Sequence, residues 1–238
     1  MRAAVYERFE GQIHVGDVPD PTPQADEVVV RVTAVGLCRS DYHGWHGTDP
    51  DIVCPHVGGH EFVGRVVAVG ANVERVAVGQ RVVAPFVCGC GVCEPCQLGQ
   101  HQVCRNQHQP GFTRWGAFAQ LTTVPFADIN AVEVPGGVSD ESAALVGCRV
   151  STAYRGVIER GRLAKGEVLC VYGCGGVGLA AVAMGRAVGA TVVAVDIGVP
   201  SLELAAALGA DVVLNAGEHS DVAEAVHEAT GGAHVSVG

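Results

Sequence analysis

The chain has 238 residues and a formal net charge of −10, with 48% apolar residues, 33 glycines and only 6 phenylalanines. Apolar residues are abundant enough to fill globular cores, and the glycines point to many tight turns and close backbone contacts. The acidic balance, with no basic stripe to meet phosphates, argues against nucleic acid or an anionic membrane as a partner. No run reaches the roughly 18 uninterrupted apolar residues of a membrane-spanning helix.

The N-terminal MRAAVYERFEGQIHVGDV has no basic segment followed by an apolar one, and it alternates as a strand does, so the expected location is cytoplasmic. Short alternating apolar runs broken by Pro and Gly follow, as in VVVRVTAVG (Val28 to Gly36) and FVGRVVAVG (Phe62 to Gly70), and they predict a mostly β domain over residues 1–150. Between the two runs lie CRSDYH (Cys38 to His43) and GGHEFVG (Gly58 to Gly64). A single His–Glu pair is an ordinary structural or surface feature as well as a candidate site. Spacing alone joins it to no cysteine, because open metal sites draw donors from distant segments.

Cys88 to Cys104 holds five of the ten cysteines. In a reducing compartment such a cluster holds metal more readily than disulfides. Cys90, Cys93, Cys96 and Cys104 are spaced C-x2-C-x2-C-x7-C, which suits a closed tetrahedral zinc site and leaves Cys88 out. An iron–sulfur cluster is the rival, although ferredoxin-type runs carry a shorter fourth spacing followed by Pro.

From about Ser139 the texture changes to apolar strand, glycine turn and Ala-rich helix: EVLCVYG, CGGVGLAAVAMGRAVGA, TVVAVD, SLELAAALGA and DVVLN. This alternation predicts a parallel α/β sheet over residues 151–238, with three strands, two helices and the start of a fourth strand at HVSVG. GCGGVG, Gly173 to Gly178, follows a strand and opens a helix, so Gly173, Gly175, Gly176, Val177 and Gly178 suit a dinucleotide pyrophosphate. Asp196 closes the next strand, where a carboxylate accepts from a ribose 2′-OH and repels a 2′-phosphate, favouring NAD over NADP. A glycine turn that only packs helix on strand, or a site for another nucleotide, is the competing reading.

Taken together, GHEFVGRVVAVGANV (Gly59 to Val73), the four-cysteine loop, the glycine turn and Asp196 stand in the order found in zinc-dependent alcohol dehydrogenases of the medium-chain dehydrogenase/reductase family, which the chain resembles over nearly its whole length. The resemblance implies a GroES-like, mostly β catalytic domain followed by a partial Rossmann domain. It implies two zincs per chain: a catalytic one on Cys38, His60 and Cys148, and a structural one on Cys90, Cys93, Cys96 and Cys104. It makes Glu61 the carboxylate beside the metal and Asp41 the residue that orients the zinc-bound histidine. Ser40 and His43 become the proton path from alcohol to water, Arg39 and Thr152 cofactor contacts, and Trp45 and Phe86 walls of the substrate pocket.

The implied activity is hydride transfer between a primary or secondary alcohol and NAD to give an aldehyde or ketone. The family continues for roughly another hundred residues that complete the sheet. The alternative expectation is therefore a truncated, catalytically impaired zinc-binding protein, with an exposed sheet edge that allows self-association although the dimer-forming strand of relatives is absent.

Overall fold

The computed structural model describes all 238 residues, which form two compact units, Met1–Cys148 and Arg149–Gly238. In the first unit β1 (Arg2–Val5) and β2 (His14–Asp17) form an antiparallel hairpin, followed by β3 (Val28–Gly36), α1 (Arg39–His46), β4 (Glu61–Val69) and β5 (Arg81–Val83). The cysteine lobe contributes the short α2 (Glu94–Gln97) and a single 3-10 turn at His101–Val103, after which come β6 (Leu121–Val124), α3 (Ala127–Asn130), β7 (Val132–Glu133) and α4 (Asp140–Ala144). Five strands make an antiparallel sheet in the order β6-β3-β4-β5-β7.

Alternation predicts one buried face for these strands, yet Val28, Val29 and Val30 are all buried. The reason is cover on both sides. Val28, Val30, Phe62, Val66, Val82 and Val124 fill one core, while Ala143 and Ala144 of α4 close over Val63 and Val83 on the other face. β3 and β4 pair with two register irregularities, one at Val29/Val30 and one at Val32/Ala34. Gly64 lies where a Cβ would stand 2.2 Å from the Arg31 carbonyl oxygen, so only a residue without a side chain lets the two backbones meet there.

The second unit begins with α5 (Arg149–Tyr154) and continues with β8 (Val168–Tyr172), α6 (Gly176–Val188), β9 (Thr191–Asp196), α7 (Val199–Ala207), β10 (Val212–Asn215), α8 (Val222–Thr230) and β11 (Val235–Val237). All four strands are parallel, in the order β10-β9-β8-β11. Leu169, Val171, Val192 and Ala194 pack on one face against Ala181, Val182, Leu202 and Ala205 of α6 and α7. Val168, Cys170, Val193 and Val195 meet Val226 of α8 on the other. Strands buried on both faces are apolar at every position, which is why they read as unbroken runs.

After Gly166 the sequence reading counts two helices; the structure has a third there, α8. Five of its nine residues are Val or Ala, and its ends are well marked: the Asp221 carboxylate accepts from the Glu224 N–H at 3.0 Å, and Gly231 closes it in the left-handed conformation.

Burial dominates the energetics. Each fully buried Val or Leu is worth about 1.5–3 kcal/mol relative to exposure. The Arg105–Glu94 pair, with both side chains about two-thirds exposed, contributes at most about 1 kcal/mol. The β3–β4 contact yields a direct test. Gly64→Ala is expected to lower the stability of the first unit by about 1–3 kcal/mol or more, as overpacking against rigid backbone does, read as a shifted denaturant midpoint.

Candidate functional site

α1 begins at Cys38, whose backbone is extended (φ −115, ψ 157), and one carboxylate sets its start. Asp41 Oδ2 accepts from the Cys38 N–H at 2.9 Å. Oδ1 accepts from the Gly59 N–H at 3.0 Å and pairs with His60 Nδ1 at 3.1 Å. Because a carboxylate only accepts, the Nδ1 proton sits on that bond and Nε2 is left to offer its lone pair. Nε2 is fully buried and makes no hydrogen bond. It belongs to a cluster in which the Cys38 and Cys148 sulfurs, a His60 ring nitrogen and a Glu61 carboxylate oxygen all lie within 4.8 Å of one another.

Cys148 reaches this cluster from far along the chain. The Phe86 N–H donates to the Gly147 carbonyl at 2.8 Å, and a Cβ on Gly147 would stand 2.3 Å from the Ala84 carbonyl oxygen. Gly147 thus lets the segment that carries Cys148 lie flat against the strand end at Ala84.

The protonation of the cluster is that of a cation site filled with protons. A hydrogen bond from Cys148 and the neighbouring His60 hold the Cys38 thiol down at about 3, and the same bond pushes the Cys148 thiol up. Burial works to lower His60, but the Asp41 carboxylate and the Cys38 sulfur raise it to about 9. Two sulfurs and one imidazole, whose buried and unbonded Nε2 offers its lone pair once a cation displaces its proton, fit zinc better than the hard, oxygen-seeking cations.

Around these donors, Ser40 Oγ lies 3.8 Å from Cys38 Sγ. The His43 ring packs edge-on to Tyr42 at the exposed side of α1 and makes no direct hydrogen bond to Ser40. The Arg39 guanidinium lies 4.9 Å over the Tyr42 ring. Phe86 stands edge-on to the His60 imidazole at 4.9 Å, and Phe112 covers the same ring at 5.3 Å. Trp45 donates from Nε1 to the Gly11 carbonyl at 2.8 Å and packs, like Phe86, on the cluster of Tyr6, Ile52 and Phe112.

An apolar cavity of about 240 Å³ beside α1 is lined by Tyr6, Ile13, Cys38, Tyr42, Trp45 and Phe118; Phe86 is not part of its wall. Sequence reasoning missed Phe112 and Ile52, since nothing local marks an aromatic or aliphatic residue that folding brings to a distant histidine.

The second donor set is the cysteine lobe, where the four sulfurs of Cys90, Cys93, Cys96 and Cys104 lie within 4.8 Å of one another. The Cys90 and Asn106 backbone N–H groups each donate to Cys104 Sγ at 3.3 Å. The N–H groups of Val92 and Cys93 pull Cys90 down to about 6, whereas burial holds Cys96 up at about 12. Cys88 stands outside, fully buried, and burial keeps its thiol protonated by pushing it up to about 12. Four convergent sulfurs, two of them eased toward thiolate by backbone N–H groups, fit a closed tetrahedral zinc.

In the second unit Gly173 turns with φ +91, and a Cβ on Gly178 would stand 1.9 Å from the Gly173 carbonyl oxygen. The turn and the start of α6 leave a cavity of about 500 Å³, lined by Thr152, Tyr172, Gly173, Gly176, Val177 and Val237 among others. Asp196, at the end of β9, accepts from the Gly198 N–H at 2.7 Å and the Cys174 N–H at 2.6 Å, and these bonds hold its carboxyl below the usual range. A cradle without side chains at a helix N-terminus, beside an ionised carboxylate, fits a dinucleotide. Cys170 and Cys174 are buried, and burial raises both thiols, so they pack as small apolar residues.

No helix is long and apolar enough to cross a membrane. Residues 24–136 match the family model described as an alcohol dehydrogenase GroES-like domain, and residues 176–238 match that of a zinc-binding dehydrogenase. An alcohol dehydrogenase of Geobacillus stearothermophilus is 39% identical over 239 residues, covering 100% of this chain and 70% of its own length. The solved alcohol dehydrogenase from Thermus sp. ATN1 superposes with a TM-score of 0.90 at 36% identity, over 97% of this chain and 67% of its own. A solved NAD-dependent alcohol dehydrogenase follows with a TM-score of 0.86 at 34% identity, over 98% of this chain and 68% of its own. With both donor sets and the glycine cradle formed on this fold, the chain belongs to the zinc-dependent alcohol dehydrogenases of the medium-chain dehydrogenase/reductase family.

Proposed function

We propose that this oxidoreductase interconverts a primary or secondary alcohol and its aldehyde or ketone with NAD as hydride partner, and that it holds two zincs per chain. The observation that carries the reading is His60: Nδ1 is fixed by Asp41, and Nε2 is buried without a partner among Cys38, Cys148 and Glu61. An imidazole oriented in this way by a carboxylate is suited to give its lone pair to a metal.

Cys38, His60 and Cys148 would hold the catalytic zinc, with the buried Glu61 carboxylate as a spare donor beside it. Zinc there supplies a Lewis acid that lowers the pKa of an alcohol hydroxyl, and NAD supplies the hydride acceptor. Ser40 Oγ, next to Cys38, takes the hydroxyl proton. His43, exposed one turn further along α1 and not bonded to Ser40, would pass the proton to water after a bridging hydroxyl or water carries it across from Ser40. Phe86 and Phe112 keep water from the His60 ring and hold its plane. Gly173 to Gly178 would take the cofactor diphosphate, with Thr152 on the same cavity wall. The Asp196 carboxylate, held at the end of β9 by the Cys174 and Gly198 N–H groups, would accept from the adenosine ribose 2′-OH and repel the extra phosphate of NADP. The Cys90, Cys93, Cys96 and Cys104 lobe would hold the second zinc as a fold element.

Mass-spectrometric metal analysis is expected to find two zincs per chain, and one for Cys148→Ser, whose kcat with NAD and a simple alcohol falls by more than ~100-fold. A Cys148→Ser protein that kept both zincs and its activity would remove the catalytic assignment. Asp41→Asn, which weakens the bond that orients His60, is expected to lower zinc affinity at that site by about 10–100-fold, read by competition with a chelator of known affinity. Asp196→Ala is expected to narrow the NAD over NADP preference by about tenfold or more in kcat/KM, and unchanged discrimination would take Asp196 out of the cofactor site.

A further inference from the structure

The cysteine lobe has little regular structure of its own, yet its first sulfur is anchored from outside. Asn130, the last residue of α3, is 1% exposed and spends its whole side-chain amide on backbone. Its Oδ1 accepts from the Gly89 N–H at 3.1 Å. Its Nδ2 donates to the Gly89 carbonyl at 2.9 Å and to the Pro125 and Phe126 carbonyls at 3.1 Å each. The doubled bond to Gly89 grips that peptide from both sides as a neighbouring strand does.

Gly89 precedes Cys90 and lies on the sulfur cluster: a Cβ there would stand 3.2 Å from Cys96 Sγ and 2.9 Å from His101 Cβ. On its other side Cys88 exchanges two backbone hydrogen bonds with His108, which closes the neck of the lobe. Phe126, whose carbonyl Asn130 also holds, packs against the cysteine cluster and stacks on His108 at 5.7 Å.

We propose that Asn130 is a positioning residue for the four-sulfur lobe: by clamping the Gly89 peptide it holds Cys90 and Cys96 in the arrangement a tetrahedral ion needs before the ion arrives. The proposal rests on the reading of Cys90, Cys93, Cys96 and Cys104 as zinc donors. A fully buried amide with every hydrogen-bonding group used has no freedom to rearrange, so the position of Gly89 is fixed by the β domain. Asn130→Asp keeps the acceptor but turns an acceptor toward three carbonyl oxygens.

The test follows zinc release from the full zinc-loaded chain into excess 4-(2-pyridylazo)resorcinol. For Asn130→Asp, and for Asn130→Ser should the aspartate variant not fold, one of the two zincs is expected to leave about tenfold faster or more while the other leaves at the wild-type rate. Val124→Ala, a buried change in β6, serves as the control with comparably lowered melting temperature. Release as slow as in wild type, or no faster than in the control, overturns the assignment.

The wild-type chain gives a second reading through amide hydrogen exchange. After zinc is stripped, the Gly89 N–H is expected to stay protected because its partner is a side chain of the β domain; rapid exchange overturns the clamp. A Cys96→Ser chain with the same zinc content as wild type would instead remove the reading of the lobe as a zinc site, and the proposal with it.

Discussion

The Asp41 carboxylate accepts hydrogen bonds from two separate stretches of chain, the Cys38 N–H at the start of α1 and the Gly59 N–H and His60 Nδ1 just before β4. Bonds to an ionised acceptor contribute about 1.5–3 kcal/mol each, and a buried carboxylate without them would be costly. The same group therefore caps a helix, fixes a turn and orients a metal-binding ring. Two of the three proposed ligands of the catalytic zinc, Cys38 and His60, are set by it. The third, Cys148, is set by the backbone contact of Gly147 with Ala84 and Phe86.

Both donor sets bring acidic sulfurs close together in buried places, and neither is stable as a set of thiolates. In the cluster of Cys38, His60 and Cys148 the charge collects on Cys38, with Cys148 kept protonated and His60 raised. In the lobe Cys90 and Cys96 move in opposite directions. Metal binding replaces those protons, so affinity at both sites couples to pH and to folding. The sites differ in how they are held. Cys38 and His60 hang on side-chain hydrogen bonds to Asp41, while the lobe is gripped at its base by Asn130 and the Cys88–His108 bridge.

Glycine carries a large part of the architecture by what it leaves out. Gly64 allows β3 and β4 to meet, Gly147 lets the Cys148 segment lie on Ala84, and Gly178 lets α6 approach the Gly173 turn. In each case the nearest atom to an added Cβ is a backbone oxygen closer than 2.5 Å, which cannot move aside as a flexible side chain can.

The sequence by itself determined the order of the two domains, the parallel sheet, the four-cysteine lobe and the glycine turn with Asp196, because these are local: a strand period, a ligand spacing or a turn is written in adjacent residues. It did not disclose α8, a short helix whose Val222 and Val226 acquire their meaning only from the face of β8 and β9 that they cover. Nor did it join Cys148 to His60 except through likeness to relatives, or mark Phe112 and Asn130 at all. Those decisions belonged to the tertiary structure, since a lone pair, a ring face or an amide becomes functional only when folding excludes water from it and leaves one partner within reach.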